Sequence, residues 1–133
     1  MISNWIIQKE LRMQLLTVVG IPVAGYRAWE NVSFKPADGT AWIRETLLPG
    51  DEHLSANNEL EASGIYQVDY FIPLGDPISS AKNIADAIKQ AFKPATKLNS
   101  VRTEKAQVLP GHRSRSWYQI PIEVHYKTFS TNT

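Results

Sequence analysis

The side chains able to do chemistry are few and scattered. His53, His112 and His125 fall in three separate segments, without the paired spacing that presents two imidazoles to one metal ion. His125 reads as a solvent-face residue of the last strand. There is no cysteine, which removes thiolate ligands, a thiol nucleophile and a disulfide framework together. Asp51, Glu52, Glu59 and Glu61 could supply an acid–base pair, but carboxylates in a polar stretch are normally solvated, and catalytic ones need a desolvating pocket. Ser79 and Ser80 stand in the first turn of a helix, and Ser114 and Ser116 in a basic loop. Neither setting is the strained strand-to-helix corner that exposes a nucleophilic serine. No glycine-rich loop leads from a strand into a helix, so nucleotide phosphates have no cradle; Gly64 and Gly75 read as strand ends. The residue types argue against an enzyme and imply no cofactor and no metal.

The elements that would position these groups are clearest in GIYQVDYFIPLGDPISSAKNIADAIKQAFKP, Gly64 to Pro94. Alternation puts Tyr66, Val68, Tyr70 and Ile72 on one face of a strand, with Gln67 and Asp69 on the other. Asp76 is the expected helix cap and Pro77 the first helical residue, where a missing N–H costs nothing. Ala81, Ile84, Ala85, Ile88 and Phe92 then form one apolar stripe until Pro94 ends the helix. A half-buried strand followed by an amphipathic helix gives a helix lying on a sheet.

Taken from its start, the chain predicts a first helix capped by Ser3 or Asn4 and running over 3–19, with Ile7, Leu11, Leu15 and Val18 along one face. Residues 28–34 and 41–48 read as strands of a hairpin turned at Pro36-Ala37-Asp38-Gly39. Neither face of 41–48 is cleanly apolar, so this strand is covered on both sides or faces a partner. The polar stretch 49–63 is either a long loop or the extended tip of a hairpin into the Gly64 strand, which spans 62–73. A weaker strand is expected at 98–109 and a strong one at 115–127. Pro121 cannot donate to a ladder, which puts that last strand at an edge or the proline at a bulge. Ile84, Ile88, Leu11, Ile120, Ile122 and Val124 are the expected core. The resulting fold class is α+β: a single domain over 1–133, with a mostly antiparallel four- to five-stranded sheet and two helices packed on one face.

Length and charge bound the rest. At 133 residues one core suffices, and the net charge of +1 gives no overall pull toward nucleic acid or an anionic membrane. No apolar run approaches a membrane span, and the N-terminal stretch has no basic lead, so a soluble protein made in the cytosol is expected. Charge is nevertheless segregated along the chain. Between Gly50 and Ser63 stand Asp51, Glu52, Glu59 and Glu61 with no lysine or arginine. Between Lys93 and Arg115 stand Lys93, Lys97, Arg102, Lys105, Arg113 and Arg115 against Glu104 alone. Solvated loops, pairing within the chain, or opposite charges facing neighbouring molecules would each account for this. The stretch 102–115, with His112, Arg113, Arg115 and the adjacent Trp117, also offers a small phosphate-binding footprint, which leaves a nucleic-acid-binding accessory protein as the alternative function.

Three patches resemble the phage tail terminator-like family of long-tailed phages and prophages. They are AWENVSFKP at Ala28–Pro36, GIYQVDYFIPLGD at Gly64–Asp76 and WYQIPIEVHYKTF at Trp117–Phe129, in that order and at fitting spacings over nearly the whole chain. The resemblance implies a non-enzymatic structural protein of the virion tail, assembled in the bacterial cytoplasm. It implies a ring, commonly six-fold, at the head-proximal end of the tail tube, which stops tube polymerisation and meets the head connector. The implied partners are further copies of the chain, the tube protein and the head–tail connector, with no membrane and no sequence-specific nucleic acid; DNA would only pass through the ring. A ring needs two different patches that meet between copies. Trp42, Arg44 and Trp117 on the incompletely matched strands, and the charged Asp51, Glu52, Glu59, Glu61, Arg102, Lys105, Arg113 and Arg115, are the expected interface residues.

Overall fold

The computed structural model describes residues 2–54 and 59–131, with the side chains of Glu59 and of residues 129–131 outside that description. The elements in chain order are α1 (Asn4–Leu15), β1 (Arg27–Ala28), β2 (Trp42–Leu54), β3 (Glu59–Pro73), α2 (Ile78–Ala91), β4 (Val101–Val108), β5 (His112–Ser114) and β6 (Trp117–Thr131). Six strands form one mostly antiparallel sheet in the order β1-β2-β3-β6-β4, with β5 also paired to β6. Both helices lie on one face. Ile7, Leu11 and Leu15 of α1 and Ala81, Ala85, Ile88 and Phe92 of α2 share one core with Val68, Ile120, Ile122 and Val124 of the sheet. Ile84 is only half-buried at the rim of that core, where full burial was expected. Among the described residues no helix is long and apolar enough to cross a membrane.

The caps follow local chemistry. Ser3 caps α1 by accepting from the Ile6 amide at 3.2 Å. Asp76 does not cap α2: its own amide donates to the Pro73 carbonyl in a turn, and the extended Pro77 takes the cap position without a side-chain bond. The helix therefore begins one residue later than the sequence pattern suggests.

The expected hairpin of 28–34 with 41–48 does not form. Only Arg27–Ala28 pair with β2, and they run parallel to it. The strand is cut because Val32 donates back to the Trp29 carbonyl and Asn31 takes a left-handed φ of 60°. The remaining edge of β2 is served partly by a side chain, since Glu30 accepts from the Leu47 amide at 2.9 Å.

Beyond the helix layer, β2, β3 and the end of β6 continue as a three-stranded arm, the extended-hairpin alternative for 49–63; residues 55–58 lie outside the described residues. Gly64 is not a strand end but the middle of β3 at the root of this arm. A Cβ there would stand 2.5 Å from the Tyr126 hydroxyl and 2.7 Å from the Leu48 carbonyl, so only glycine lets the Tyr126 ring lie across the strand.

β6 is an interior strand, so of the two alternatives that Pro121 left open, an edge strand or a local interruption, the edge is not the one found. Its carbonyl accepts from the Leu109 amide at 2.8 Å, so its absent N–H would point to the same side. On that side β4 has ended and β5 has not begun. The proline occupies the gap between the two strands.

Candidate functional site

The sheet face opposite the helices gathers several of the expected interface residues. At the start of β2, Trp42 stacks on Phe71 with ring centres 3.9 Å apart and planes 5° apart, and meets Trp117 edge-on at 5.9 Å. Phe34, from the loop that replaces the expected hairpin, closes on Trp42 at 5.1 Å. Beside this cluster Arg44 lies over the Phe71 ring and bridges Asp69 at 3.1 Å. Arg115 completes a recess of about 450 Å³ with Trp42, Arg44, Phe71 and Trp117. It stands in the two-residue turn that joins β5 to β6, at a φ of 55°, and its carbonyl accepts from Arg113 Nε at 3.4 Å. The Trp42 indole N–H is buried without an acceptor among the described residues.

The charged segments are distributed differently from the sequence expectation. Asp51 and Glu52 are exposed on the arm, and Glu61 pairs there with His53 at 3.0 Å; the Glu59 side chain lies outside the described residues. The stretch 93–115 is not one basic patch. Arg102 stands opposite Lys127 on β6 and Lys105 opposite His125, whereas Arg113 stands opposite Tyr118. Nine residues of strand put roughly 30 Å between Arg102 and Arg113. Arg102 is further committed to Glu104 at 3.2 Å. The 102–115 segment therefore offers two separate, small basic footprints.

Two buried carboxylates escaped the sequence reading. Asp69 is fully enclosed on the open face, where it accepts from Arg44, from Gln67 at 3.0 Å and from Gln119 at 2.8 Å. Glu45, one residue along from Arg44, points to the helix side. There it accepts from Arg12, from Gln8 at 3.1 Å and from the Tyr66 hydroxyl at 2.6 Å. Arg12 in turn lies over the Trp29 ring at 4.4 Å. Burial, reinforced by the Glu45 carboxylate, pushes the Tyr66 hydroxyl pKa well above its ordinary value. Only the register reveals these sites, because Arg44 and Asp69 are direct cross-strand partners separated by 25 positions in sequence.

His53 on the arm, His112 on β5 and His125 midway along β6 occupy three different places. Among the described residues no group of three or more histidine and acidic side chains could hold a metal ion. Each buried carboxylate is saturated by donors rather than aimed at a space where a substrate would sit. The surface of the described residues carries an aromatic recess with two guanidinium groups, and an acidic arm.

A small α+β domain with one helix-covered and one open sheet face is thus defined. It belongs to the phage tail terminator protein family, whose profile matches residues 6–126, and this membership places it in the virion tail. One solved protein, 20% identical over 96% of each chain, has the same fold with a TM-score of 0.73. A second, from the virion of a native gene transfer agent particle, is 18% identical over 92% of this chain and 94% of its own, with a TM-score of 0.57. No curated protein matches the chain.

Proposed function

We propose that this chain is a non-enzymatic tail terminator that assembles into a ring, of about six copies, on the head-proximal end of the tail tube. There it stops tube polymerisation and presents a surface to the head connector. The observation that carries this reading is the family match, which spans nearly the whole folded domain, from α1 to Tyr126 on β6. The presence of a similarly folded chain in a gene transfer agent virion supports a particle-borne role. The geometry supports action through contacts, since the enclosed carboxylates are already satisfied and the exposed features are apolar and charged patches. The partners are then further copies of the chain, the tube protein and the connector, with DNA only passing through the opening.

The test is native mass measurement and negative-stain imaging of the protein with and without polymerising tail tubes. Rings seated on tube ends, together with tubes that stop lengthening, are expected. Tubes that grow at an unchanged rate in excess protein, with no density at their ends, would overturn the proposal.

A further inference from the structure

We propose that the recess beside Trp42 receives the acidic arm of a second copy of this chain, entering with Asp51, Glu52 and Leu54. The inference deepens the ring reading and rests on it, by naming the two surfaces that meet.

Strand β2 carries both surfaces. Its first residue, Trp42, forms the floor of the recess, and its last, Leu54, lies on the arm. Twelve residue steps separate them by roughly 40 Å, so an arm cannot reach the recess of its own chain. Two complementary patches at opposite ends of one rigid strand allow a head-to-tail contact, the type that closes into rings.

The chemistry of the two ends is complementary. Asp51 and Glu52 are exposed and have no cationic partner among the described residues. Leu54 is 53% exposed on the same strand. At the other end Arg115 lines the recess, is exposed and has no carboxylate partner among the described residues, and Arg44 is held over Phe71 with part of its guanidinium outward. Guanidinium groups set beside aromatic rings suit carboxylates entering with an apolar neighbour. The buried Trp42 indole N–H adds a donor that no described residue satisfies. Arg102 and Lys105 are excluded from this surface, because they stand some nine residues away along β6.

The chain has no cysteine, so introduced thiols report contacts cleanly. One variant carries Asp51→Cys on the arm and the other Ser116→Cys in the turn beside Arg115, both at exposed positions. A short bismaleimide added to their mixture should give a covalent species joining one of each, with neither variant joining itself. In parallel, Asp51→Lys with Glu52→Lys should weaken self-association by roughly fivefold per lost charge pair at low salt, and Arg115→Asp in the same chain should recover part of it. Oligomers on native mass measurement without the mixed crosslink would overturn this contact and leave the ring standing. A Ser116→Cys thiol that further copies of the chain leave open to a monofunctional maleimide, and that only added tube protein protects, would overturn the second copy as occupant. A chain that stays monomeric, forms no crosslink and leaves tube growth unchanged would overturn the contact and the ring together.

Discussion

Glu45 and Asp69 are both fully buried carboxylates on neighbouring strands of one sheet, but they lie on opposite faces and are enclosed in different ways. Glu45 sits beneath α1, and its arginine, Arg12, keeps only 20% of its side chain exposed, lying over two indole rings. Asp69 sits on the open face, and its arginine, Arg44, keeps 46% exposed. Water and salt therefore reach the second pair and hardly reach the first. The closed network ties a helix to the sheet. The open one fixes the side chains around a surface that remains accessible.

The largest test of this contrast is to remove each arginine. Arg12→Met should cost about 3–5 kcal/mol, because Glu45 stays buried with its charge uncompensated and no water to replace the guanidinium. Each carboxylate keeps two neutral donors, Gln8 and Tyr66 for Glu45 and Gln67 and Gln119 for Asp69, but Arg44→Met should cost only about 1–2 kcal/mol because solvent can approach from the open side. Urea denaturation of both variants measures the difference, and equal costs would erase the distinction between the faces. A smaller contrast lies within the closed face. Ile122→Ala should cost about 2–4 kcal/mol by leaving a cavity in the centre of the core, whereas half-buried Ile84→Ala should cost about 1–2 kcal/mol because its site can relax toward solvent.

Much of this architecture was legible in the sequence because it depends on short-range pattern. The alternation of Tyr66, Val68, Tyr70 and Ile72 and the stripe from Ala81 to Phe92 each specify which side chains point inward, and both held. The region 28–41 was misread because its apolar residues, Trp29 and Phe34, pack from an irregular loop onto α1's arginine and onto Trp42, with no period to signal it. Pro121 marks a ladder gap, but a single proline does not reveal whether the gap lies at an edge or between two strands. Of the expected interface residues, Trp42, Arg44, Arg115 and Trp117 converge on one recess, while Arg102 and Lys105 do not join them. Arg102 and Lys105 share with Arg115 only nearness in sequence, which a strand converts into distance.

The finest distinction between the two carboxylates concerns pH. Glu45 accepts from a titratable group, the Tyr66 hydroxyl, whereas the hydrogen-bonding partners of Asp69 are an arginine and two glutamines, which do not titrate in this range. Burial first, then the neighbouring Glu45 charge, raises the Tyr66 pKa well above its ordinary value of 10.0. Below that value Tyr66 is protonated in both folded and unfolded chains and contributes its full share of stability. As pH rises above it, the unfolded chain releases the proton while the folded chain holds it, so the folded state binds more protons and stability falls. The loss attributable to Tyr66 approaches about 1.4 kcal/mol per pH unit, on top of smaller losses from Tyr70 and Tyr126, whose pKa values burial also raises. Tyr66→Phe should cost about 1 kcal/mol at neutral pH, through the lost hydrogen bond to Glu45. Between about pH 10 and 11 it should lose stability less steeply than the parent, so that the two curves converge. Gln119→Ala, which takes a donor from Asp69 instead, should lower stability by a similar amount and leave the alkaline slope unchanged. Urea denaturation of all three proteins across that range decides the matter. Parallel curves for the parent and the Tyr66 variant would mean that Tyr66 ionises as freely in the folded chain as in the unfolded one, and that the closed face is no drier than the open one.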